Sequence, residues 1–251
     1  MNLLTQERYQ SILSMVNEKN AVTVAELAEW LNISESTVRR DLTALDELGK
    51  LKKVFGGATS ITKSEGVYED NVSMREHLMS NEKTEIAKYS ATLINSTDFV
   101  YIDSGTTTSR LIDFIGNNQA TYVTNGIIHA RKLAQKGFNV YLIGGKVKSA
   151  TEAVIGAEGI ANLKNYNFSK AFMGTNGIDI ASGFTTPDIE EALMKEAAVK
   201  RSYMAFVLAD HSKFRRVFSV TFSQLKTCCI ITDQVPDNRY AKETVIKEVI
   251  K

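Results

Sequence analysis

The sequence predicts two domains of different class: a small α+β unit of three helices and a two-stranded wing over residues 1–59, and an α/β unit on parallel strands over residues 80–251, with a connecting passage at 60–79. Three observations carry that expectation. Two short helical patterns flank Asn32-Ile33, the second with adjacent arginines; the basic run from Lys50 to Ala58 closes on two glycines; and beyond residue 80 apolar, β-rich runs alternate with helical ones.

Ile12, Leu13 and Val16 mark a first amphipathic helix. Thr23 and Glu26 have the spacing of a capping box, opening a second helix with Val24, Leu27, Ala28 and Leu31 on its apolar face. Asn32-Ile33 then supply a tight turn, and Ser34 caps a third helix whose buried stripe is Val38, Leu42, Leu45 and Leu48. At about 100° per residue, Ser36, Thr37, Arg39, Arg40 and Thr43 fall on the opposite arc beside Ser34. A guanidinium can fork onto a guanine edge or a phosphate, and hydroxyls bond either, so this face suits a DNA major groove. The following run reads as a basic strand and glycine turn, with Lys52 and Lys53 placed to meet phosphates.

Net charge does not carry this reading. Through Thr62 there are seven basic and eight acidic residues, but five of the basic ones lie between positions 39 and 53, on the elements that would face DNA. So few phosphate-neutralising groups per copy favour at least a dimer on paired half-sites.

The whole chain, 251 residues with a net charge of +1 and 43% hydrophobic content, has room for one small and one mid-sized core. It holds no run of about 18 apolar residues and no charged-then-apolar leader, so the expected location is cytoplasmic, without a membrane partner. Cys228 and Cys229 are adjacent; strand neighbours point to opposite faces, so they are expected as buried thiols rather than a disulfide. His77, His129 and His211 share no ligand spacing with them, and neither metal nor cofactor is expected.

In the second domain the strand-like runs are Phe99–Asp103, Thr121–Thr124, Val140–Ile143, Ala171–Met173, Ala205–Ala209 and Cys228–Thr232, continuous enough to be covered on both faces. Ligands of open α/β sheets bind at the carboxyl ends of such strands. There Asp103, Ser104, Gly105, Thr106, Thr107 and Thr108 open a helix and form a phosphate cradle of amides and hydroxyls. Further strand ends carry Thr124-Asn125-Gly126, Gly144-Gly145-Lys146, Gly174-Thr-Asn176-Gly177 and Asp210-His-Ser-Lys213. Singly these are turn chemistry. Together they line one rim, where Asp103, Asn125, Asn176 and Asp210 can bond sugar hydroxyls while Lys146 or Lys213 neutralises a phosphate. Beyond them Thr186 is placed as a cap, Pro187 at the first helical position, and Asp188, Glu190 and Glu191 at the positive end of the helix dipole, with Glu191 able to reach a ligand hydroxyl. The closing segment Asp237 to Lys251, with Ala241, Val245, Ile246 and Val249, reads as a helix packed within or between subunits.

Ser34-Glu-Ser-Thr-Val-Arg-Arg-Asp-Leu42, Leu45, Leu51-Lys-Lys-Val and Gly56-Gly57-Ala58 resemble the winged helix-turn-helix of the DeoR family of bacterial sugar-operon regulators. Phe55 departs from that pattern, which usually has a histidine before the two glycines, and removes a polar contact from the wing. Asp103-Ser-Gly-Thr-Thr-Thr108, Thr124-Asn-Gly126, Ile143-Gly-Gly-Lys146, Gly183-Phe-Thr-Thr186 and Ala209-Asp-His-Ser-Lys-Phe214 extend the resemblance to the family's effector domain, whose fold is similar to ribose-5-phosphate isomerase. Phe172 to Ile178 and Gly183 to Asp188 look most like the fructose-operon repressors. The resemblance implies a homodimeric or homotetrameric repressor that binds operator DNA and is relieved by a phosphorylated sugar. Fructose 1-phosphate is the first expectation, with tagatose 6-phosphate and fructose 1,6-bisphosphate behind it. Two other readings stay open: an isomerase-like enzyme using Asp103, Glu191, Asp210 and Lys213, and an architectural DNA binder whose second domain only oligomerises. Gly144-Gly-Lys146 lacks the first glycine and final hydroxyl of a nucleotide-binding P-loop.

Overall fold

The computed structural model describes residues 3–48, 50–60, 78–116 and 119–250. The chain divides into two compact units, Met1–Glu65 and Gly66–Lys251. The passage expected at 60–79 falls mostly on residues 61–77, outside the described residues, and His77 and Lys63 to Gly66 lie there too.

In the first unit the elements run α1 (Leu3–Lys19), β1 (Ala21–Thr23), α2 (Val24–Leu31), α3 (Glu35–Glu47), β2 (Leu51–Val54) and β3 (Gly57–Ser60). Both expected caps form. Thr23 and Glu26 make a reciprocal capping box on α2, and the Ser34 side chain accepts the Thr37 N–H at 3.3 Å. Asn32 ends α2 in the left-handed region, φ 51°, a conformation asparagine tolerates well. Ile12, Val16, Leu27, Val38, Leu42 and Leu45 meet in one core.

Leu48 does not join them. The helix stops at Glu47, the Lys50 N–H returns to the Leu45 carbonyl at 2.8 Å, and Leu48 is left 59% exposed. Leu51, the first residue of β2, is buried in the core instead. A bidentate pair, buried at Asp41 and half-buried at Arg8, fastens α1 to α3: the Arg8 guanidinium donates to both carboxylate oxygens of Asp41, at 2.5 and 2.9 Å.

The wing holds three strands rather than two, in the antiparallel order β1-β3-β2. Its tip is the turn Phe55-Gly56, where Gly56 has φ +81°, and the Val24 N–H donates to the Gly56 carbonyl at 2.9 Å. The β1 backbone passes so close that a Cβ on Gly57 would stand 2.1 Å from the Val22 carbonyl oxygen.

The second unit continues α4 (Ser80–Ala91), β4 (Phe99–Ile102), α5 (Thr106–Phe114), β5 (Thr121–Thr124), α6 (Ile127–Gln135), β6 (Asn139–Leu142), β7 (Lys146–Lys148), β8 (Ala153–Ile155), α7 (Ala157–Leu163), β9 (Phe168–Gly174), β10 (Gly177–Asp179), β11 (Gly183–Thr186), α8 (Ile189–Lys200), β12 (Ser202–Leu208), β13 (Val220–Ser223), β14 (Cys229–Thr232) and β15 (Ile246–Glu248). Seven strands form one parallel sheet in the order β15-β14-β12-β9-β4-β5-β6. Two cores involve alternate residues of the same strands: Tyr101, Ala171 and Val207 in one, Ile102, Phe172 and Leu208 in the other. The chain departs from the sheet centre in both directions, so β4 and β9 flank its switch point.

Three expectations change. β6 is an edge strand, with Tyr141 and Leu142 about half exposed, and is not covered on both faces. The closing segment is no helix: after a short 3-10 turn at Tyr240–Lys242 it adds β15 beside β14, with Ile246 opposite Ile230. Its β-branched residues suit a sheet edge better than a helix. At α8 the cap is Asp188, accepting the Glu191 N–H at 2.9 Å, because β11 runs on through Thr186. Cys228 is buried and Cys229 half-buried, both as free thiols.

Replacing Arg8 by Met leaves the Asp41 carboxylate buried without its cation, and should cost the first unit about 2 kcal/mol. Trp30 is the only tryptophan of the chain and lies in this unit, so urea unfolding followed by its fluorescence reads the loss directly. A midpoint unchanged from the parent would show that the pair contributes nothing.

Candidate functional site

The helix α3 presents Ser34, Ser36, Arg39 and Arg40 exposed, with Thr37 and Thr43 half-buried beside them. Ser34 Oγ lies 2.8 Å from Ser36 Oγ and 2.9 Å from Thr37 Oγ1, a hydroxyl cluster at the amino end of the helix. Arg39 reaches back one turn to Glu35 at 2.6 Å; both side chains are exposed, so the pair is weak and easily exchanged for a phosphate. Lys53 Nζ donates to Thr43 Oγ1 at 2.7 Å, and its backbone N–H donates to Asp46 at 3.0 Å, which sets the wing against α3. Lys52 is exposed on the same hairpin and Phe55 is fully exposed at its tip.

In the second unit a cleft of about 280 Å³ opens at the carboxyl end of the sheet. Of the expected residues it brings together Ser104, Gly105, Thr106 and Thr107 on one side, Gly174 and Asn176 on another, and Glu191, Asp210 and Lys213 on a third. Gly105 caps α5, so the first amides of that helix, which have no acceptor within it, point at the same space as the hydroxyls. The close approach of two loops shapes the floor: a Cβ on Gly105 would stand 3.6 Å from the Gly174 Cα.

Asp103 stands behind this wall. Its buried carboxylate accepts the Gly174 N–H at 3.0 Å and pairs with the Lys195 ammonium, which also donates to the Gly174 carbonyl at 3.1 Å. Lys195, rather than Asp103, faces the cleft. Thr108 is likewise internal, its hydroxyl closing the loop onto the Asp103 and Gly105 carbonyls.

The β5 and β6 ends contribute scaffolding instead. Thr124 accepts the Gly126 N–H at 3.0 Å, and Asn125 accepts the Tyr101 hydroxyl at 2.9 Å while donating to the Val154 carbonyl at 3.1 Å. Gly126 caps α6, and a Cβ there would meet His129 Nδ1 at 2.5 Å. Gly144, Gly145 and Lys146 follow the edge strand β6, away from the switch point, and the exposed Lys146 pairs with Glu190 at 3.0 Å. Strand position, not residue type, excludes these three from the cleft.

Several lining residues escaped sequence reasoning: Lys83, Thr151, Lys195 and Arg216. Lys195 follows Glu191 by four positions on α8, a spacing that puts both on one helix face and offered a usable signal. Glu191 is held by Lys148 and Thr151, each at 3.0 Å. Asp210 caps the turn that carries Ser212 and Lys213, accepting the Ser212 N–H at 3.1 Å. His211 in that turn meets the Asp233 carboxylate at 2.5 Å, and this hydrogen bond raises its pKa.

Residues 8–64 match the DeoR-like helix-turn-helix domain, and residues 78–234 match the DeoR C terminal sensor domain. The chain belongs to the DeoR family. It is 39% identical over 251 residues to the uncharacterized HTH-type transcriptional regulator FruR of Bacillus subtilis (strain 168), covering 98% of this chain and 99% of that one. It is 35% identical over 239 residues to the HTH-type transcriptional regulator IolR of the same strain, covering 94% of each. A Lactose phosphotransferase system repressor of Staphylococcus aureus (strain NCTC 8325 / PS 47) is 32% identical over 249 residues, with 98% and 97% covered. Among solved structures, ribose 5-phosphate isomerase A of Methanocaldococcus jannaschii overlaps 54% of each chain at 14% identity with a TM-score of 0.41, too distant to bear on the argument. This DeoR-family chain is thus a DNA-binding transcriptional regulator with a sensor domain. Among the described residues no helix is long and apolar enough to cross a membrane.

Behind the threonine loop, His129 Nε2 lies 3.0 Å from the Gly105 carbonyl, so Nε2 carries the ring proton. Burial holds this imidazole down to about 4. It is neutral in the fold and takes up a proton on unfolding, so sensor-domain stability should fall by about 3 kcal/mol as pH drops from about 6.5 toward 4. Calorimetry across that range should show the slope, and His129→Gln should flatten it. An equal slope in the variant would assign the acid sensitivity elsewhere.

Proposed function

We propose that this regulator is a repressor of a sugar-utilisation operon, probed at its operator by α3 and the wing and relieved when a phosphorylated sugar occupies the sensor cleft. The observation that carries the reading is the amide-and-hydroxyl loop Ser104 to Thr107 at the switch point of the sheet, opposite Asn176, Glu191, Asp210 and Lys213. The loop offers donors for a phosphate and the opposite wall offers acceptors and donors for sugar hydroxyls. A relative named as a phosphotransferase system repressor supports the sugar class. Fructose 1-phosphate is the first ligand to test, ahead of tagatose 6-phosphate and fructose 1,6-bisphosphate. Operator binding places the protein in the cytoplasm and favours a homodimer or homotetramer on paired half-sites.

Nothing favours the enzymatic alternative. Asp103 stands behind the cleft wall, paired with Lys195, while Glu191 is held by Lys148 and Thr151 and Asp210 by the Ser212 N–H, so each of the three carboxylates of that reading already serves the scaffold.

A thermal-shift panel of sugar phosphates tests the ligand, because one that binds only the folded protein raises the melting temperature with the logarithm of its concentration. Thr106→Val should weaken that ligand about tenfold by removing one donor to a charged group. Arg40→Ala should weaken operator binding about tenfold to a hundredfold, measured by fluorescence anisotropy on a duplex selected from a random pool. A panel without a single shift would sink the sensor half of the proposal, and an Arg40→Ala protein of parental affinity would sink the assignment of the reading face.

A further inference from the structure

The wing ends on a side chain that the packing of its own domain does not use. Phe55 occupies the first corner of the turn between β2 and β3, with Gly56 at φ +81° as the second, and its ring is fully exposed. Val54 beside it is exposed as well. A phenylalanine carries one of the largest apolar areas of any side chain, and here none of it is removed from water.

The tip that carries this ring is held in place. The Val24 N–H donates to the Gly56 carbonyl at 2.9 Å, and at Gly57 the backbone of β3 meets that of β1 too closely for any Cβ. Two residues earlier the wing is set against α3, where Lys53 donates from Nζ to Thr43 Oγ1 at 2.7 Å and from its backbone to Asp46 at 3.0 Å. At about 3.3 Å per residue, Phe55 stands about 7 Å further along the strand. A helix with its side chains is nearly as wide as the major groove, so one seated there has a phosphate ridge along its flank. A tip carried that far past the flank crosses the ridge and comes to the minor groove.

We propose that Phe55 is an apolar wedge that enters the minor groove beside the segment read by α3 and parts a base step there. The inference rests on the reading of α3 and the wing as the operator-binding face. Lys52 and Lys53, both exposed on the same hairpin, suit the phosphates of the ridge. The ring has no donor or charge to offer a phosphate, and is complementary only to the sugar walls and base faces beyond it. Pyrimidine–purine steps part most readily, so the wedge adds to the operator a requirement for a deformable step that no hydrogen bond reads. A second copy of the chain suits the tip less well, because a symmetric contact there would set Lys52 and Lys53 against their own counterparts.

The experiment uses the full-length protein and a duplex selected from a random pool, with 2-aminopurine placed in turn at each step flanking the segment that the protein protects in its major groove. On binding the parent, 2-aminopurine emission should rise at one flanking step of each half-site, and the selected duplexes should carry a pyrimidine–purine step there. Phe55→Ala should bind about tenfold more weakly and lose both the emission rise and the step preference. Its dependence on salt should stay parental, since no phosphate contact is removed. Phe55→Leu, still an apolar wedge, should keep most of the emission rise. The exposed ring contributes no packing, so the melting temperature of Phe55→Ala should match the parent. A parent that binds its duplex without an emission rise at any flanking step, or a Phe55→Ala protein that keeps the rise, would overturn the inference while leaving the reading face intact. A Phe55→Ala protein whose sedimentation changes while its DNA complex stays parental would overturn it too, because the ring then serves a second copy. If the parent selects no duplex at all, the operator reading fails first and the inference falls with it.

Discussion

The sensor domain is organised around the carboxylate of Asp103, buried where the central strand β4 ends. A buried charge without a partner is among the most expensive things a fold can contain, so its surroundings are obliged to supply one. They supply two: the Lys195 ammonium from α8 and the Gly174 N–H from the end of β9. Strand, neighbouring strand and covering helix are thereby drawn to a single point at the switch of the sheet. The loop that follows Asp103 is then closed by Thr108 and backed by the neutral ring of His129, so its outward amides and hydroxyls are fixed before any ligand arrives. On the sugar-phosphate reading proposed above, such preorganisation would let the anion be bound without first ordering its site.

The DNA-binding domain shows the same logic at smaller scale. Asp41 is one of the eight acids that make the segment nearly neutral, but it is internal and serves as the counter-charge of Arg8. The field at the reading face therefore comes from a local excess around Arg39, Arg40, Lys52 and Lys53 and is not diluted by Asp41.

Much of this was legible from residues alone because it is decided over short distances. Thr23 with Glu26, and Ser34 before Thr37, are caps that depend on spacings of three. The six apolar runs became six parallel strands, and Ser104 to Thr107 sits where a strand end should place a ligand loop. The misreadings are tertiary. Leu48 keeps the helical interval, but the helix ends before reaching it and Leu51 fills the space. Val245, Ile246 and Val249 are spaced like a helix face, yet a free edge beside β14 recruits them. Thr108, Asn125 and Lys146 have the right chemistry at strand ends and point elsewhere, because the depth of each loop in the crevice depends on strand order. Lys83 and Lys195 were missed for the converse reason: a lysine on a helix reads as solvated until the packing shows what lies in front of it.

The meeting of Gly57 with the Val22 carbonyl, across a gap too narrow for any Cβ, has an evolutionary corollary. It welds the hairpin to the framework that also carries the second arginine-bearing helix, so these behave as the jaws of a caliper locked at one span. Relatives recognising other promoters can be reached by exchanging the teeth along either jaw. A target whose contact points lie at a different separation is out of range of any single replacement, since the span itself is set by backbone meeting backbone.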